Sequence, residues 1–149
     1  MIDPRFVAVA RQIIESLPFN RLLGLRVAEF EVGVVKIAFD MRPELIGNTA
    51  RGVLHGGVIS SALDLVGGAT ALAQILADRE VSSANDVGAV FSKFGTIDLR
   101  VDYLRPGSGS EFVAGGTVLR AGRRVAVTRM ELHNDSDDLI ALGTGTYSV

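Results

Sequence analysis

The sequence predicts an α+β fold in which one antiparallel sheet wraps around one buried helix. A single apolar stretch, 53–77, is long enough for a helix of several turns and is hydrophobic on nearly every side, so protein must enclose it. Strand-like alternation precedes that stretch as a hairpin and follows it as four consecutive runs joined by short turns. The 149 residues suit one domain, 1–149, with no linker or internal repeat to divide them.

Asp3-Pro4 pairs a capping carboxylate with proline at a first helical position. Phe6, Val7, Ala10, Ile13, Ile14 and Leu17 then keep to one helical face, so an amphipathic helix is expected over about 3–17, ending before Pro18. From Leu25 the period changes. Leu25–Glu31 and Val34–Met41 read as strands joined at Gly33, with Val35, Ile37, Phe39 and Met41 on one side. A loop from Arg42 to Leu54 leads to the long apolar helix, His55 to about Asp78. The polar, mixed segment 78–91 reads as a mobile connection. In the next run Ile97, Leu99, Val101 and Tyr103 alternate with Asp98, Arg100 and Asp102, and Pro106-Gly107 turns the chain. Strands 111–120, 123–133 and 139–149 complete the set, joined at Ala121-Gly122 and through the loop Asn134–Asp138.

Composition removes several classes of function. With no cysteine there is no disulfide, thiolate nucleophile or cysteine-held metal, and two histidines make a histidine-built metal site a poor expectation. Fifteen basic against 17 acidic side chains give no basic surface for nucleic acid. Charged residues interrupt each apolar run near the N-terminus before it reaches the length of a signal-peptide core, so the cytoplasm is expected. Asp64 near the middle of the apolar stretch would cost about 2.5–3.5 kcal/mol in a lone membrane span, so no membrane is expected either.

Glycine stands out, with 17 where average usage would give about ten. Several cluster around the long helix. Gly52-Val53-Leu54-His55-Gly56-Gly57 opens it, and a helix start offers free N–H groups and partial positive charge. Gly56 and Gly57 are thus candidates for an oxyanion hole, or simply permit a tight loop-to-helix junction. Asp64 must be paired, hydrogen-bonded or shifted in pKa, with Ser60 one turn back as a structural partner. His55 and Asp64 lie about 13 Å apart along the helix and on opposite sides of it. A site that uses both must therefore join two chains. Gly67-Gly68 in mid-helix costs about 0.8–1 kcal/mol per glycine relative to alanine, which close packing or ligand approach would offset.

His55-Gly56-Gly57 with an acid nine residues after the histidine, followed by Gly95-Thr96-Ile97-Asp98-Leu99-Arg100-Val101-Asp102-Tyr103-Leu104-Arg105-Pro106, resembles the PaaI-like hotdog-fold acyl-CoA thioesterases. The likeness runs from Pro18-Phe19-Asn20-Arg21 to Glu131-Leu132-His133-Asn134 and is greatest to the YigI group, which acts on medium- and long-chain acyl-CoA. It implies a hotdog fold, a homodimer with active sites at the interface, and a homotetramer as a further pairing. Asp64 matches the catalytic carboxylate, as general base or as nucleophile. Gly56 matches the residue whose N–H polarises the thioester carbonyl, and His55 the histidine that orients the loop. Thr96 falls where relatives hold the attacking water with a serine. Asn48 falls near an asparagine that contacts the thioester oxygen, displaced by one residue; the other reading is an ordinary turn residue after Gly47.

No cofactor is implied beyond the coenzyme A carried by the substrate. Arg51, Arg105, Arg123 and Arg124 are candidates for its phosphates, since guanidinium groups suit phosphate oxygens. Gly57 and Ser60 adjoin the expected thioester site. Leu63, Val66 and Leu72, or the connection 78–91, would line an acyl slot. Two other functions are open: a non-catalytic acyl-CoA-binding or regulatory module, and an acyl-thioester dehydratase or hydratase, for which His55 lacks a His-Phe-Pro context.

Overall fold

The computed structural model describes residues 2–149; Met1, first residue of the expected domain, lies outside them. Helix α1 (Pro4–Ser16) starts on Asp3, whose carboxylate accepts the Arg5 N–H, and it buries Phe6, Ala10 and Ile14. Pro18 ends α1 and also opens a short helix the sequence reading missed, α2 (Pro18–Leu23). Gly24 closes α2 in the left-handed conformation, φ 71°, where a residue without a Cβ is least strained.

Strands β1 (Arg26–Glu31) and β2 (Val34–Asp40) form the expected hairpin. The expected loop 42–54 holds more structure than its composition suggested. A single 3-10 turn, Pro43–Leu45, leads into a small hairpin of β3 (Ile46–Asn48) and β4 (Val53–Leu54). Helix α3 (Gly56–Asp78) follows, with His55 as its extended cap rather than its first residue. The connection 78–91 is likewise not a plain loop. Ser83 and Asp86 form a reciprocal capping box that starts α4 (Ala84–Phe91).

Strands β5 (Gly95–Tyr103), β6 (Glu111–Ala121), β7 (Val125–Asn134) and β8 (Leu139–Ser148) join the first hairpin in one antiparallel sheet, ordered β1-β2-β6-β7-β8-β5. This is the sheet around a central helix that the sequence predicts. Ile59, Ala62, Leu63 and Val66 of α3 are at most 3% exposed, and Val35, Ile37, Phe39, Phe112, Ala114, Met130 and Leu132 supply the sheet side of the core. Phe39 and Phe112 stack across β2 and β6 with centroids 5.2 Å apart. Helix α3 is the one helix among the described residues long and apolar enough to cross a membrane, and it is enclosed by its own sheet.

The two edges of the sheet differ. At β1, the Glu15 carboxylate of α1 accepts the Val27 N–H at 2.8 Å and Arg11 donates to the Val27 carbonyl, so α1 covers that edge. Among the described residues strand β5 pairs only with β8, and its other edge is left unpaired along nine residues. Ile97 and Tyr103 on it are 59% and 53% exposed.

Candidate functional site

The start of α3 shows what the glycines and histidine do there. His55 Nδ1 accepts the Gly57 N–H at 2.8 Å, which fixes that nitrogen as the unprotonated one and caps the helix. Of the two amides offered to an oxyanion, Gly57's is therefore engaged within the chain. The Gly56 N–H, at the first helical position, has no acceptor among the described residues. Gly56 is braced from outside the helix by Tyr103, whose hydroxyl donates to the Gly56 carbonyl at 3.0 Å. A Cβ at Gly47 would collide with the backbone of His55, so the β3 hairpin presses directly on the cap. Asn48 lies exposed in that hairpin, and its carbonyl accepts the N–H groups of Arg51 and Gly52. It lies in the hairpin that packs against the helix start.

Two turns further on, Asp64 is half-buried, and its partner is Thr96. The Thr96 hydroxyl donates to the carboxylate, 2.9 Å from Oδ1 and 3.2 Å from Oδ2. Ser60, the partner weighed from sequence, instead donates to the Gly57 carbonyl at 3.1 Å, as Ser61 does at 2.6 Å. Strict alternation along β5 would place Thr96 on the face of Asp98, away from the helix. A bulge prevents this. Thr96 pairs with Tyr147 and Asp98 with Thr146, so Ile97 is the extra residue and Thr96 turns to the helix side.

Tyr147, on the inner face of β8, is 2% exposed and donates its hydroxyl to the Asp64 backbone carbonyl at 3.1 Å. Burial, and then the nearby Asp64 carboxylate, push its phenol well above the ordinary value of 10.0, so it stays a donor. Gly67 is explained by this contact. A Cβ there would overlap the Tyr147 hydroxyl and lie 2.9 Å from both Met130 Sδ and Thr128 Oγ1. Nothing in the sequence around Tyr103 or Tyr147 marks either contact, because each partner is dozens of residues away.

Beside Asp64 lies a mostly apolar cavity of about 410 Å³, walled by α1, α2, α3, α4 and the start of β5. Leu72 and Phe91 line it, as sequence suggested for Leu72 and for the connection that ends at Phe91. Leu63 and Val66 do not; both are fully buried against the sheet. Asp64, Thr96 and Ser61 stand at the cavity together with Gly68 and Tyr147.

The arginines divide between two ends of the fold. Arg51 is exposed in the β3–β4 turn, and Arg105, just after Tyr103, donates to the Leu139 carbonyl at 2.9 Å. Both stand toward the Gly56 end. Arg123 and Arg124 form the β6–β7 turn, where Arg120 joins them around a shallow groove. Ser148 pairs with both Gly95 and Val125, which puts that turn two strands, about 10 Å, from the start of β5.

The model of the thioesterase superfamily matches residues 51–141, which span the helix start, Asp64 and Thr96. The chain is 45% identical to the medium/long-chain acyl-CoA thioesterase YigI of Salmonella typhimurium, over 95% of this chain and 91% of that one. The identity and coverage are the same for YigI of Escherichia coli K12. Among solved structures, a Shewanella oneidensis protein related to the thioesterase superfamily superposes with a TM-score of 0.90 at 46% identity, covering 99% of both chains. The family model, the relatives and the shared fold agree, and the chain belongs to the thioesterase superfamily.

Proposed function

We propose that the protein hydrolyses medium- to long-chain acyl-CoA thioesters to free fatty acid and coenzyme A, at a site shared by two copies of the chain. The observation that carries this reading is the Asp64–Thr96 pair at an apolar cavity, with a free helix-start amide at Gly56 on the same helix. The named activity of the YigI relatives supports it.

Strand β5 supplies the geometry for the second copy. One end of it holds Asp64 through Thr96, and the other holds Gly56 through Tyr103. An exposed edge strand is a template for pairing with another chain. Antiparallel pairing of β5 with its own copy about the strand centre brings the Thr96 end of one protomer to the Tyr103 end of the other. The Gly56 amide of one copy then faces the Asp64 of its partner, the juxtaposition that a lone chain cannot make along about 12 Å of helix.

In that arrangement the Gly56 N–H donates to the thioester oxygen as it gains charge, and α3's positive end adds to the effect. Asp64 takes the proton of a water that adds to the carbonyl, or adds to the carbonyl itself to form an anhydride that water then hydrolyses to free acid and Asp64. Thr96 holds the carboxylate in place at the cavity. The carbon–sulfur bond breaks and the thiolate leaves, taking a proton. His55 acts through the loop by holding Gly57, so Gly56 alone points outward. Arg123 and Arg124 at the Thr96 end, with Arg120, and Arg51 and Arg105 brought across by the partner, are the cations available to the phosphates of coenzyme A. The same reading places the enzyme in the cytoplasm and in fatty acid metabolism, with pairs of dimers as a further assembly. Asp64→Ala should abolish thiol release from acyl-CoA while leaving the assembly unchanged by sedimentation; retained turnover refutes the reading.

A further inference from the structure

The cavity beside Asp64 runs along one face of α3. Ser61, Asp64, Leu65, Gly68, Ala69 and Leu72 line it, at the three- and four-residue spacing of a single helical face. Exposure falls along that face. Asp64, Leu65 and Gly68 are half-buried, whereas Ala69 is 4% and Leu72 1% exposed. The cavity therefore deepens from the carboxylate toward Leu72.

Gly68 has no packing reason to be glycine. A Cβ there would meet only the Tyr147 ring, at 3.5 and 3.7 Å, which is ordinary van der Waals contact. Its neighbour Gly67 is hemmed in by Tyr147, Met130 and Thr128, so the two mid-helix glycines are bare for different causes. A mid-helix glycine weakens a helix, and at position 68 what the missing side chain leaves is cavity.

We infer that this cavity holds the acyl chain and that Gly68 and Leu72 set its length, Gly68 by leaving the slot open and Leu72 by ending it. The inference rests on the thioesterase reading of Asp64. At 1.5 Å per residue Gly68 lies about 6 Å and Leu72 about 12 Å beyond Asp64 along the helix. An extended chain advances about 1.2 Å per bond, so about five carbons reach Gly68 and about ten reach Leu72. The slot thus fits a medium-length chain completely, and carbons beyond about the tenth gain no further burial.

The test is a chain-length series, butyryl- to palmitoyl-CoA, with kcat/KM read by free-thiol release for the wild type, Gly68→Leu and Leu72→Ala. For the wild type, kcat/KM should rise to about decanoyl and then level off. Each methylene denied burial costs a factor of about four, and Gly68→Leu denies it to about five carbons of decanoyl and none of butyryl, so the decanoyl-to-butyryl ratio should fall by about a thousandfold. Leu72→Ala should move the plateau to longer chains. Variant profiles that superimpose on an active wild type overturn the gauge and leave the thioesterase reading standing. A wild type inactive on every chain length overturns both. Leucine is a better helix former than glycine, so Gly68→Leu should melt no lower than the wild type; failure to fold would show that no open slot exists at position 68.

Discussion

Replacing Gly56 by proline removes one N–H and puts a ring carbon where its hydrogen pointed. Gly56 is the first residue of α3, where an N–H has no acceptor inside the helix and where proline is favoured. His55 before it has φ −65° and ψ 136°, within the extended region that a residue preceding proline adopts. The added Cβ would approach the Tyr103 ring at 3.4 Å, which is contact without collision. Stability should therefore change by no more than about 0.5 kcal/mol. Activity should not be spared. Loss of one oxyanion donor costs about 2.7–4 kcal/mol of transition-state stabilisation, so kcat should fall by about 10²–10³. The ground-state carbonyl carries little charge, so most of the loss should fall on kcat, with a smaller rise in KM from the ring carbon beside the substrate carbonyl. The assay is thiol release from decanoyl-CoA with kcat and KM resolved, alongside a thermal melt. A folded Gly56→Pro protein with wild-type kcat would refute the role of this amide and the shared site built on it.

Thr96→Val keeps the shape of the side chain and removes the donor to Asp64. A hydrogen bond to a charged group is worth about 1.5–3 kcal/mol, so kcat should drop about ten- to hundredfold, and Thr96→Ser should restore most of it; an unchanged kcat refutes the pairing. The adjacent glycines should respond oppositely to alanine. Gly67→Ala should lower stability by about 1–3 kcal/mol through overlap with Tyr147, whereas Gly68→Ala should raise it by up to about 1 kcal/mol, both read from chemical denaturation. Tyr147→Phe tests the buried phenol by its pH dependence. The folded protein retains the phenol proton that the unfolded chain releases near 10, so this group's contribution is full below about pH 10 and is lost as pH rises above it. The melting-temperature gap between wild type and Tyr147→Phe should narrow over about pH 9–11; a constant gap contradicts the raised pKa.

Local chemistry made some of this legible and long-range geometry hid the rest. Asp64 announced itself because a carboxylate on an all-round apolar helix needs a partner, and the HGG run marked a helix start with bare amides. The partner itself was not readable from periodicity. Alternation along β5 points Thr96 away from the helix, and only the bulge at Ile97 reverses it. The resemblance placed Thr96 at the site where counting residues would have removed it. The capping box at Ser83 and Asp86 was present in the sequence, yet the polar composition around it hid α4. Pro18 marks the end of α1, but proline also suits a first helical position, so its presence alone does not separate the end of α1 from the start of α2. The Tyr147–Asp64 and Tyr103–Gly56 contacts depend on how β8 and β5 lie against α3, and no local signal encodes that.

Mixing two inactive variants tests most directly whether catalysis is shared between chains. Asp64→Asn and Gly56→Pro are each prepared alone, then unfolded and refolded together in equal amounts. In a two-fold dimer with composite sites, each mixed dimer carries one doubly damaged site and one intact site. Half the dimers are mixed, so thiol release from decanoyl-CoA should recover to about a quarter of the wild-type rate. Activity no greater than the sum of the two variants alone would contradict a site built from Asp64 of one chain and Gly56 of the other.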